Sequence, residues 1–276
     1  MNFISSKEPI PFCPPEQRLD QMVEAQKFIL EKYMDIQGIP QFPCPLQTRE
    51  NQDMIKGFLA YFVEELGEAF EHMVAATELL TEPGAEKIGK LRIKHMEINE
   101  ELADAMHFLL EVMIYANVTP ASVQRALLTE FQQRNIGDKY IINQHQQWDV
   151  IEASLFFARL FNNEAIGNPP TSVDISPNGT DIPMGAHFFS PKVITNVSIL
   201  SWEITYTQCL ARNLLRNKAW KQTSVEANEE AFQVKLFEVW MQFMRLLDYL
   251  GFTSESIHAT YIRKNRVNQY RIKSKY

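Results

Sequence analysis

Two stretches decide most of what this chain can become. "LAYFVEELGEAFEHM" at 59–73 and "EINEELADAMHFLL" at 97–110 place apolar residues three and four apart, the period of a helix packed along one side. Each breaks that pattern with two acids three residues apart: Glu65 and Glu68 in the first, Glu101 and Asp104 in the second. At that spacing both carboxylates of a pair lie on one helix face. Carboxylates on mostly apolar helices are costly to bury unless they are paired or hold a metal. Two such pairs facing each other would form a cage of oxygens, suited to a hard cation such as Mg²⁺. A solvated acidic stripe beside the core would show the same spacing, so both readings stay open here.

The rest of the chain has the same helical character. "LDQMVEAQKFILEKYM" (19–34) is amphipathic, and prolines 40, 43 and 45 then forbid a helix. Further helices are predicted over 52–80, 93–116, 120–134, 149–161, 197–219, 229–250 and 254–273. Only 139–143 has a strand-like composition. Residues 162–195, rich in Pro, Gly, Asn and Asp, read as a long loop or linker. The expectation is an all-α helical bundle, organised as a first helical repeat (1–161), that loop (162–195) and a second repeat (196–276).

The two repeats rest on a correspondence. "LLEVMIYANVTPASVQRAL" (109–127) and "FMRLLDYLGFTSESIHATY" (243–261) align at an offset of 134 residues, matching Tyr115 with Tyr249, Thr119 with Thr253 and Ser122 with Ser256. Both read as long helix, turn, helix, so a helical-hairpin unit is duplicated. The same offset sets Lys235 opposite Glu101 and Glu238 opposite Asp104. A cation therefore interrupts the acidic pair in the second copy, which predicts one functional site and one structural copy.

Charge and cysteine content narrow the partners. The net charge is −7, which argues against binding duplex nucleic acid through a broad basic face. Yet no acid follows Glu255, while Arg263, Lys264, Arg266, Arg271, Lys273 and Lys275 do. Tyr261, Lys264, Asn268 and Arg271 step by three and four along one helix face, a poor core face and a good one for a polyphosphate. Three cysteines, at 13, 44 and 209, form neither a disulfide framework nor a zinc pattern and favour a reducing compartment. No apolar run approaches bilayer length, so a cytoplasmic protein without a membrane partner is expected.

Taken in order, these islands resemble a known family. "EELGE" followed by "ELADAMHFLL" looks like the ExxE…ExxD signature of the all-α nucleoside triphosphate pyrophosphohydrolases, which include dimeric dUTPases, MazG-type enzymes and the T-even phage dCTP/dUTP pyrophosphatase. "YIRKNRVNQYR" resembles the Y-x-x-K-N-x-x-N-x-x-R element of the dimeric dUTPase branch, and "VEAQKFILEKY" its first helix. The chain departs from that branch at Leu30, where a polar Asn or Gln is usual, and in its "RIKSKY" ending.

The resemblance implies Glu65, Glu68, Glu101 and Asp104 as ligands of two or three Mg²⁺ ions, with Mn²⁺ as the alternative. Glu65 or Glu68 would also activate water. It implies Lys264, Asn268 and Arg271 as phosphate contacts, supported by Asn265 and Tyr261, with Gln26 and His107 at the base. The expected reaction is hydrolysis of a deoxypyrimidine triphosphate, dUTP first and dCTP next, to monophosphate and pyrophosphate by a homodimer. The competing expectations are a MazG-like housecleaning enzyme for other nucleotides and a non-catalytic helical partner protein.

Overall fold

The computed structural model describes residues 10, 12–80, 86–134, 148–165, 189–218, 220 and 225–274. The chain is all-α. After a short 3₁₀ turn, Pro15–Gln17, come α1 (Arg18–Gln37), α2 (Arg49–Leu79), α3 (Glu86–Tyr115), α4 (Pro120–Gln133), α5 (Val150–Ala165), α6 (Pro191–Leu214), α7 (Glu229–Tyr249) and α8 (Ser254–Lys273). Among the described residues no helix is long and apolar enough to cross a membrane. The strand-like 139–143 stretch lies outside the described residues.

Helix α2 runs antiparallel along α3. Contacts advance in opposite senses along the two, from Phe58–Tyr115 through Tyr61–Phe108 to His72–Glu97. Helix α6 packs on α7, α5 on α7, and α8 lies against both α1 and α3. One continuous core joins the two hairpins: Phe62 of α2 meets Phe243 of α7 edge-on, with centroids 5.3 Å apart. Trp240 is fully buried, and its indole N–H donates to Ser154 Oγ at 3.0 Å. Truncating such a side chain to alanine costs about 3–5 kcal/mol.

The turns after α3 and α7 are alike bond for bond. Val118 N–H donates to Met113 O at 2.8 Å, and Phe252 N–H to Leu247 O at 3.0 Å. Asn117 (φ 57°) and Gly251 (φ 80°) supply the left-handed residue each turn requires. Thr119 and Ser122 then cap α4 reciprocally, as Thr253 and Ser256 cap α8. The sequence correspondence thus carries a recurring local structure.

The loop expected over 162–195 is shorter at both ends. Helix α5 continues through Ala165, and Asn162 is buried, donating to Arg245 O and Asp248 Oδ2. At the other end Ser190 caps α6 and Pro191 occupies its first turn, where a proline costs no hydrogen bond. Helix α2 likewise starts three residues early, at Arg49, because Thr48 accepts from Asn51 N–H.

Candidate active site

The α2–α3 hairpin brings Glu65, Glu101 and Asp104 together, each offering an oxygen within 4.8 Å of the others. All three are partly buried. Burial first, then the Asp104 charge and a hydrogen bond with Glu101, push Glu65 up to about 8. Burial also raises Glu101, against the opposing pull of Lys264. Three carboxyls this close repel one another when ionised, which favours the protonated form of Glu65. Glu68 is one turn along α2 and exposed, outside this trio, though its charge still reaches Glu65 and Glu101. His72 stands at the rim, its Nε2 3.7 Å from Glu101 Oε1.

From the opposite wall α8 presents Lys264, whose Nζ lies 2.7 Å from Asp104 Oδ2 and 4.0 Å from Glu100 Oε2. Asn268 and Arg271, one and two turns on, line a cleft of about 840 Å³ that also reaches Glu65, Asp104, His107 and Glu111. That volume falls in the range of small-molecule sites.

Tyr261 and Asn265, expected in support of the phosphate contacts, lie deeper than Lys264, Asn268 and Arg271. They are four apart on α8, on the side wedged between α1 and α3, and both are 1% exposed. Asn265 Nδ2 donates to Ala25 O at 3.2 Å, and its Oδ1 accepts from Gln269. Tyr261 O–H donates to Gln26 Oε1 at 2.6 Å while its ring stacks on His107, centroids 4.1 Å apart. These two side chains tie α8 to the first and third helices.

Gln26, held by Tyr261, turns its amide nitrogen to Glu111 Oε1 at 2.8 Å. His107 Nδ1 sits 2.7 Å from Ala103 O. Because a carbonyl only accepts, Nδ1 carries the hydrogen and Nε2 is a bare acceptor. Burial pushes His107 down to about 4, which keeps the ring neutral. Leu30, at the position where a polar residue was expected, is buried and lines the same cleft. The polar group at this end comes from Glu111 on α3 instead. Sequence reasoning passed over Glu111, although a lone acid inside "AMHFLLEVMIYA", four residues past His107, was the available signal.

Residues 185–276 match the family model for dUTPase. The match spans α6, α7 and α8, and so includes Lys264, Asn268 and Arg271, but stops short of the three clustered acids. No curated protein and no solved structure matches the chain. The all-helical fold together with this C-terminal match fits a dUTPase-like family.

Proposed function

We propose that this chain is a Mg²⁺-dependent pyrophosphohydrolase of deoxypyrimidine nucleoside triphosphates, releasing the monophosphate and pyrophosphate. The observation that carries this reading is the apposition of Lys264, Asn268 and Arg271 on α8 with the Glu65–Glu101–Asp104 cluster, across one cleft. Three crowded carboxyls fit a hard divalent cation, Mg²⁺ or Mn²⁺, which would relieve their mutual repulsion. Glu68 stands close enough in charge to contribute once two or three ions are held. A cation there offsets the charge of a triphosphate that the carboxylates alone would repel.

The chain's own groups divide the remaining work. Lys264, now paired with Asp104, would turn to a phosphate oxygen once cations balance the acids, while Asn268 and Arg271 hold the outer phosphates. A water attacks the α-phosphorus, the bond to the bridging oxygen breaks, and pyrophosphate leaves. The water's proton passes to Glu65 or Glu68. Glu65 can accept it only when ionised, which its present surroundings oppose and a bound cation would favour.

This reading takes a homodimer as the assembly. Ile199, Trp202 and Tyr206 share one face of α6 by spacing, and all three are exposed. The test is a panel of deoxynucleoside triphosphates with and without Mg²⁺, scoring monophosphate and pyrophosphate. Cation-dependent release of both in equal amounts supports the proposal. Release of inorganic phosphate, or no turnover of any member, would refute it and favour a non-catalytic role.

A further inference from the structure

The base end of the cleft holds two buried polar atoms without a hydrogen-bond partner among the described residues: His107 Nε2 and Glu111 Oε2. Both side chains belong to α3, one turn apart, and both line the same cleft as Asp104 and Arg271. Each is over nine-tenths buried, His107 at 4% exposure and Glu111 at 7%. An unmet polar atom this deep is costly, and native structures keep few of them without a purpose. The neighbours leave no latitude. Gln26 is committed at both ends of its amide, to Tyr261 and to Glu111 Oε1. His107 is fixed by Ala103 as an acceptor at Nε2.

We infer that His107 and Glu111 read the amino edge of a cytosine ring, so that the cleft takes a cytosine nucleotide in preference to a uracil one; this deepens, and rests on, the nucleotide reading above. Cytosine presents two amino hydrogens beside the ring acceptor N3, whereas uracil presents a carbonyl oxygen beside an N–H. With Glu111 protonated, as burial favours, the amino group donates to His107 Nε2 while Glu111 O–H donates to N3. With Glu111 ionised, the two amino hydrogens satisfy both acceptors. In the same pose uracil sets its carbonyl oxygen against the His107 lone pair and its N–H against Glu111 O–H. A site that leaves its own polar atoms unmet rejects the wrong ring strongly.

The experiment is calorimetric titration of the full chain with deoxycytidine, deoxyuridine and the deoxynucleoside of 2-pyrimidinone, without metal or phosphate. Deoxycytidine should bind about tenfold or more tightly than deoxyuridine, and loss of the amino group should remove that advantage. Glu111→Leu, which removes both the donor toward N3 and the acceptor, should narrow the ratio by about tenfold. Equal or tighter binding of deoxyuridine, no binding of any of the three, or an unchanged ratio in a folded Glu111→Leu protein would overturn the assignment. If that variant does not fold, the three titrations of the unaltered chain decide alone. A protein that prefers deoxycytidine yet hydrolyses no triphosphate would keep the base assignment and lose the hydrolase reading. One that hydrolyses triphosphates without base preference would do the reverse.

Discussion

Glu111 of α3 and Arg245 of α7 occupy matching positions in the two repeats, 134 residues apart. Both are buried charged side chains, and their surroundings are opposite in kind. Arg245 is fully engaged: its Nη1 donates to Glu203 Oε2 at 2.6 Å and Gln242 Oε1 at 2.7 Å, and its Nε to Asn162 Oδ1 at 3.3 Å. Among the described residues Glu111 has one oxygen bonded and one bare. The same contrast runs one to three turns away. Glu101 and Asp104 crowd Glu65 in a cluster short of positive charge, whereas Lys235 and Glu238 neutralise each other at 2.5 Å on the surface. A buried polar group whose partners are complete holds a fold together, and one with partners missing awaits a ligand. On the proposed function the first hairpin would be the working copy and the second its structural counterpart, which contributes α8.

The contrast breaks most visibly at the acids. Glu101→Gln should lower kcat by about a thousandfold, on the scale of losing a key electrostatic contact in a closed site. It should leave the fold intact, because it removes a charge from a crowded trio. Steady-state kinetics beside a thermal melt checks both halves of this expectation.

Lys264→Met comes next. Loss of one charge-assisted phosphate contact should cut kcat/KM by about a hundredfold. Its counterpart at the 134 offset is Glu130, paired with Arg134 on the surface, and Glu130→Gln should change activity by less than about twofold. Comparable losses from both would erase the distinction between α4 and α8.

In the second copy the effect should fall on stability instead. Arg245→Met strands Asn162 and Glu203 and should cost about 2–3 kcal/mol in a denaturant titration, with per-molecule activity unchanged. Asn162 is buried, which is why the cost is expected to exceed that of a surface pair.

A pH series sharpens the same point. Glu65 and Glu111 are both pushed up to about 8, so the folded chain binds protons there that the unfolded chain releases from an ordinary value of 4.5. Their contribution is present at low pH and lost as pH climbs toward 8. His95, His107 and His258, each pushed down to about 4, act in the opposite sense and are spent above about pH 6.5. The ion-free protein should therefore lose a few degrees of melting temperature between about pH 6.5 and about pH 8. Saturating Mg²⁺ should remove the Glu65 share and leave that of Glu111. A melting temperature flat over this window, with and without Mg²⁺, would contradict the crowding of the first copy.

How far the sequence led depended on whether the relevant physics was local. The helices and the repeat were legible because apolar period and paired Thr/Ser caps are written in consecutive residues, as at Thr119–Ser122 and Thr253–Ser256. Ser190-Pro191 was misread as turn chemistry although it is also a helix start, and only the following helix distinguishes the two. Spacing placed Lys264 and Asn268 on one face of α8. It could not tell that Tyr261 and Asn265 lie on the side covered by α1, since that depends on packing between residues some 240 apart. Glu111 showed in the sequence only as a lone acid in an apolar run. Its significance lies in an oxygen that no described residue meets, which is a property of the folded chain.

Acids from the first hairpin and cations from α8 would serve a single composite site. The most direct measurement is calorimetric titration of a non-hydrolysable α,β-imido deoxycytidine triphosphate with Mg²⁺ into the unaltered chain, Glu101→Gln, Lys264→Met and the double variant. Both residues should weaken binding when altered singly, and the double variant should lose less than the sum, because the ion and the lysine meet on the same phosphates. Strictly additive losses, or analogue affinity unchanged by either substitution, would show that the acidic cluster and the C-terminal helix do not serve one ligand.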